Sequence, residues 1–214
     1  MTRKFKIINP YGFTDDTKIY KYDNFEIKDN CITCLVGCNG SGKSTLFKEM
    51  QNQLDELGIK YTEHLATEAK DRLESAAFLH MNHEAQAYFS YSNWASEGEG
   101  IARRFEYLVQ DIGHYVLTTC QNQNEAWIFL DSLDSGCSID NIDEILDFLK
   151  NTVLGDKPEG LNMHIIIAVN SYAFLDNDYV KCLDVMTGQY VNFKTYIQYR
   201  NFVRASRKKK DKRG

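Results

Sequence analysis

Gly37-Cys38-Asn39-Gly40-Ser41-Gly42-Lys43-Ser44 fits the pattern G-x-x-x-x-G-K-S at every specified position. Before it stands Cys31-Ile32-Thr33-Cys34-Leu35-Val36, a continuous apolar run of the kind that forms a strand buried on both faces. After it, Ser44 to Leu57 carries apolar residues at 46, 47, 50, 54 and 57, one face of a helix that Gly58 stops. Strand, glycine loop and helix in that order make a cradle for phosphate. The glycines let successive backbone N–H groups turn toward phosphate oxygens, and the helix N-terminus adds positive potential. Lys43 brings a mobile charge to the β and γ phosphates, and Ser44 offers a hydroxyl to Mg²⁺. The expected nucleotide-binding set is therefore Gly37, Cys38, Asn39, Gly40, Ser41, Gly42, Lys43, Ser44 and Thr45.

Downstream, Ala126-Trp127-Ile128-Phe129-Leu130-Asp131 and Met163 to Val169 read as two more buried strands, with an amphipathic helix from Asp140 to Val153 between them. Ile59 to Leu65 is a further strand candidate, and a helix of about 20 residues follows Glu99 through Ile101, Phe105, Leu108, Ile112, Val116 and Cys120. Strands alternating with helices predict parallel pairing. The fold class expected is α/β, a mainly parallel central sheet flanked by helices. Phe5 to Ile8 and Lys18 to Ile27 alternate as an N-terminal antiparallel strand region, broken at Pro10-Tyr11-Gly12 and at Lys28-Asp29-Asn30. A helical insertion is expected over about 66–121, with Ala66 to Glu84 helix-like. The end reads as a hairpin around Thr187-Gly188-Gln189 and a short helix from about Thr195. Residues 1–203 form a single domain on this reading, and 204–214 a basic tail.

Composition sets the outer limits. The chain has 214 residues, 43% of them hydrophobic and 26% charged, which gives it enough apolar mass for a core without disulfides or a structural metal. The apolar run Ile165 to Val169 is far shorter than the roughly 20 residues of a membrane helix, and Met1 to Lys6 leads into no signal-like stretch. A cytoplasmic protein without integral membrane association is expected. The net charge is −5, yet residues 204–213 hold seven Lys or Arg against Asp211, so the body is acidic and the end basic. Such an end can touch nucleic acid or an acidic partner, or it can be a solvated, frayed terminus. Cys31-x-x-Cys34 lacks a second pair at zinc-site spacing, since His80-x-x-His83 lies far downstream, and core cysteines are expected.

A phosphate cradle needs an acid on the magnesium side, and Asp131 stands at the end of its buried strand to provide one. Ser44 and Asp131 are the expected metal pair. Ser132 follows, where a hydrolytic site places a carboxylate to polarise water, and a serine cannot act as that base. Asp134 is the nearest replacement. Lys43, Asp131 and Asp134 are thus the catalytic candidates.

With these motifs in this order, the chain resembles the ATP-binding cassette (ABC) ATPases, in particular the soluble SMC-like and RecF-like branch, here without a coiled coil. The resemblance implies a P-loop NTPase fold, with ATP and Mg²⁺ as ligands. Ala95-Ser96-Glu97-Gly98-Glu99 is similar to the family signature L-S-G-G-E/Q at Ser96, Gly98 and Glu99. In the family that element reaches the γ-phosphate held by the other protomer, which implies a homodimer on ATP binding. Ser96 and Glu99 also fit an ordinary capping box. Asp131-Ser132-Leu133-Asp134-Ser135-Gly136 resembles D-E-P-x-S-G, with Ser132 in place of the catalytic glutamate and Leu133 of the proline. Asn170 occupies the place of the family's γ-phosphate-sensing histidine, while His164 sits at the other end of its strand. No glutamine is assigned to the family's Q-loop, Gln51, Gln53 and Gln86 being poorly placed, and Tyr11 or Phe13 fits adenine stacking by spacing alone.

The resemblance implies a small, slow ATP hydrolase whose ATP-dependent dimerisation acts on a partner protein or nucleic acid. Two other readings stay open. One is a non-hydrolysing nucleotide-binding module; the other is a P-loop small-molecule kinase, for which Arg103-Arg104 would have to supply the lid.

Overall fold

A computed structural model describes residues 2–7, 20, 22–65, 97–120, 123–134 and 137–211. Its centre is a six-stranded sheet ordered β4-β5-β6-β3-β7-β8, formed by β3 (Cys31–Val36), β4 (Tyr61–Leu65), β5 (Glu125–Asp131), β6 (Asn162–Ala168), β7 (Val180–Asp184) and β8 (Gln189–Val191). β3 through β7 pair in parallel and only β8 is antiparallel. β1 (Thr2–Lys6) and β2 (Asn24–Lys28) form a separate antiparallel pair. The architecture is α/β, with a mixed, mostly parallel sheet flanked by helices, as the alternation of motifs predicts.

Alternate residues of the central strands enter two cores. On one face Ile32, Cys34, Ile128, Leu130, Ile165 and Ile167 pack under α2 (Glu97–His114), α3 (Ile139–Asp147) and α4 (Tyr196–Asp211). On the other, Leu35, Trp127, Phe129, Ile166 and Leu183 meet α1 (Lys43–Glu56) and the β1–β2 pair. Each aliphatic side chain so enclosed contributes roughly 1.5–3 kcal/mol, which explains why these strands read as continuous apolar runs.

α1 presents Leu46, Phe47, Met50 and Leu54 to its core, spaced for one helical face. It ends in a Schellman turn: Ile59 N–H donates to Leu54 O at 2.9 Å and Gly58 N–H to Asp55 O at 3.0 Å, with Gly58 at φ 68°. Gln53, on the same helix, both donates to and accepts from the backbone of Lys6, tying α1 to the edge of β1. That structural role removes it from any Q-loop reading.

Two helices finish differently from the sequence reading. The amphipathic patterns that run to Cys120 and Val153 continue as wide π-turns over Tyr115–Thr119 and Phe148–Leu154. Tyr115 there accepts a hydrogen bond from Trp127 N–H and donates one to Lys60 O, inserting its hydroxyl between β4 and β5. The C-terminal helix is longer than the sequence suggests. α4 takes in Arg204 through Asp211, so most of the basic end is helix, not a separate tail. The segment 66–96, including Ala66 to Glu84, Gln86 and both histidines at 80 and 83, lies outside the described residues.

Cys34, Cys38, Cys120 and Cys182 are buried, whereas Cys31 and Cys137 are half-buried. Cys34 and Cys182 are opposite each other in β3 and β7, and burial pushes the Cys182 thiol up to about 11 and Cys34 well above its usual range. Among the described residues no cluster of three or more His, Cys, Asp or Glu side chains could hold a metal, and none of the helices is long and apolar enough to cross a membrane.

His164 is buried in β6, its ring stacked on Trp127 with centroids 3.8 Å apart and its Nε2 3.9 Å from Asp29. Burial pulls its pKa down to about 4, against a smaller opposing pull from Asp29 and Glu125. The unfolded chain therefore takes up this proton first as the pH falls. Stability from the neutral ring is complete above pH ~6.5 and declines toward pH ~4, by about 3 kcal/mol over that window. Urea titrations of the wild type and His164→Gln at pH 7 and pH 4.5 should show a smaller acid loss in the variant; equal losses would contradict this assignment.

Candidate functional site

The parallel register places Leu35 of β3, Ala168 of β6 and Asp131 of β5 in one row across the sheet. The chain leaves all three strands at the same edge, so the glycine loop, Ser132 and Asn170 emerge side by side. Carboxyl ends of parallel strands are where open α/β sheets bind ligands. Asn39, Gly40, Gly42, Lys43, Ser44, Thr45, Asp131, Ser132 and Asn170 line an open cleft of about 390 Å³ there.

The loop folds on itself before entering α1. Ser41 N–H donates to Cys38 O at 3.0 Å, and Gly42, the residue before the helix, adopts φ 102°, a conformation that favours glycine. No side chain caps α1 and no acidic residue occupies its first turn. The N–H groups that begin the helix are thus left to an external anion. Gly37 and Cys38 precede the cleft lining, Cys38 and Ser41 being buried beneath the loop.

Lys43 Nζ donates to Gly37 O at 3.1 Å and to Asn170 Oδ1 at 3.0 Å. Burial lowers its pKa from the ordinary lysine value, and Cys38, Asp131 and Asp134 act against that shift. The cation is held over the loop by neutral acceptors that an anionic ligand can replace. Ser44 Oγ donates to Asp131 Oδ2 at 3.0 Å, and Ser132 Oγ to Asp131 Oδ1 at 3.2 Å. The 3.0 Å separation matches the edge of an oxygen octahedron with bonds of about 2.0–2.1 Å, the shell that Mg²⁺ prefers. One carboxylate, one hydroxyl and open space beside the glycine loop fit that ion, which commonly keeps waters and phosphate oxygens as its other ligands. Ser132 itself stands at φ 58°, a sharp turn that directs the chain away from β5 while its N–H still reaches Ala168 O.

Asp134 lies behind the cleft rather than in its lining. Its Oδ2 accepts from the N–H groups of Asn170 and Ser171, each at 2.6 Å. Two short charge-assisted bonds to successive amides fix the turn after β6 and hence the position of Asn170. Tyr199 of α4 adds a bond from its hydroxyl to Asn170 O at 2.8 Å.

The structure therefore brings together the loop, Lys43, Ser44, Asp131, Ser132 and Asn170. Gly98 and Glu99 lie in the first turn of α2, whereas Ser96, Tyr11 and Phe13 fall outside the described residues. Sequence reasoning missed Tyr20, whose hydroxyl donates to Gly42 O at 2.6 Å, and Tyr199 and Lys210 of α4. None sits in a motif, and only the long-range pairing reveals them. Comparison with protein-family models and with curated protein sequences finds no match to the chain.

Asp134→Ala should cost about 1–3 kcal/mol in urea unfolding because the exposed Asn170 amide and the half-buried Ser171 amide lose a charged acceptor. Asp134→Asn, which keeps one carbonyl oxygen, should lose less. Wild-type stability in the alanine variant would refute the role given to Asp134.

Proposed function

We propose that the chain is an ATP-binding protein with a P-loop NTPase fold, a small ABC-type ATPase whose ATP-loaded form pairs head to tail with a second copy. The observation that carries this reading is the Ser44–Asp131 pair, 3.0 Å apart beside the loop that holds Lys43. A polyphosphate in the cleft takes the N–H groups of the loop and of the first turn of α1. Lys43 turns from Gly37 O and Asn170 Oδ1 to the β and γ phosphates, and Asn170, so released, is placed to donate its side-chain amide to the γ-phosphate. Ser44 and Asp131 would hold Mg²⁺, which would supply positive charge beside the phosphate oxygens.

Turnover on this site is slow. Ser132 offers a hydroxyl already given to Asp131 where a carboxylate would orient water, and Asp134 is engaged with the Asn170 and Ser171 amides. Those same two observations favour the second reading, a module that binds ATP without hydrolysing it. The first turn of α2, with Ser96 before it, is the part that reaches a second copy's γ-phosphate in this proposal, and Gly98 and Glu99 lie on it. The dimer works in the cytoplasm on a partner protein or nucleic acid.

Lys43→Ala should weaken MgATP binding by roughly a hundredfold or more in calorimetry, since it removes the cationic side chain that reaches the β and γ phosphates. Unchanged affinity would overturn the nucleotide reading. Ser132→Glu should raise kcat by roughly tenfold or more while leaving affinity in place, if the missing base limits turnover. No gain with binding intact would favour the non-hydrolysing module.

A further inference from the structure

The C-terminal helix touches the site at both ends. Tyr199, Val203, Ser206 and Lys210 follow one another along a single stripe of α4, four, three and four residues apart. Tyr199 is buried and holds Asn170 O; Ser206 is buried and donates to Met186 Sδ at 2.9 Å. About 16 Å further along the helix from Tyr199, Lys210 Nζ donates to Asn39 O, in the phosphate loop, at 3.2 Å. The contact is close enough that a Cβ at Gly40 would come within 2.5 Å of the same nitrogen.

The stereochemistry of that contact matters more than its charge. Asn39 O belongs to the peptide unit that also carries Gly40 N–H, and a trans peptide points its C=O and N–H in opposite directions. A donor that draws Asn39 O toward α4 turns Gly40 N–H the other way, and Gly40 lines the cleft. Resting on the nucleotide reading above, we propose that Lys210 is a positioning residue of the phosphate site. It fixes the 39–40 peptide so that Gly40 N–H is aimed at the bound polyphosphate, and it makes the basic end of α4 part of the nucleotide-binding unit. Lys208 and Lys209, in the same last turn, complement the C-terminal end of the helix dipole as any lysine there would. Lys210 is set apart from them by its bond to the loop.

The test uses the full chain and MgATP in titration calorimetry, with wild type, Lys43→Ala, Lys210→Gln, Lys210→Arg and Lys208→Gln. Lys210→Gln should bind roughly tenfold more weakly, as expected for one misaimed amide-to-phosphate bond. Lys210→Arg, which keeps a long cationic donor, should recover most of the affinity, and Lys208→Gln, with the same charge change, should stay within about twofold of wild type by the small worth of an exposed charge. Thermal unfolding without nucleotide should be unchanged in Lys210→Gln, so that weaker binding is not a folding defect. If Lys210→Gln binds as tightly as Lys208→Gln, or more tightly than wild type, the inference is overturned while ATP binding stands. If wild type and Lys43→Ala both fail to bind, the nucleotide reading falls, and this inference with it.

Discussion

The row formed by Leu35, Ala168 and Asp131 is the constraint on which the site depends. Parallel pairing of β3 with β6, and of β6 with β5, makes three chain segments distant in sequence end abreast. A slip of one residue in either pair would exchange the side chains that enter the two cores and also separate Ser44 from Asp131. The same side chains that close the two cores therefore set the distances in the cleft. Ile166 and Ile167, neighbours in β6, belong to opposite cores and lock the register from both sides.

Around that row the polar groups are arranged so that few are left without work. Asp131 accepts from two serines, Asp134 from two amides, and Lys43 donates to two carbonyl oxygens. In the proposed ATPase these bonds hold the site in shape until phosphate takes over those of Lys43. A pre-formed site of this kind spends less of its binding energy on ordering side chains.

Much of this was legible in the sequence, for identifiable reasons. Strands buried on both faces lose alternation and become apolar runs, so β3, β5 and β6 stood out, and Asp131 was marked by ending one of them. The loop was marked by glycines that only backbone geometry requires. α4 was misjudged because its stripe mixes Tyr199, Val203, Ser206 and Lys210, and a buried serine followed by a run of lysines looks like a terminus rather than a helix face. Asp134 read as a spare base since sequence does not tell a carboxylate that faces a cleft from one that turns back to the amides of a distant strand end.

In the proposed ATPase one chain carries a phosphate and metal half-site which a second copy completes. This pairing is tested most directly by the molar mass in solution, by light scattering after size exclusion, with MgATP and with MgADP. A dimer with MgATP and a monomer with MgADP are expected. A monomer under both conditions, at ATP concentrations shown to saturate binding, would contradict the pairing.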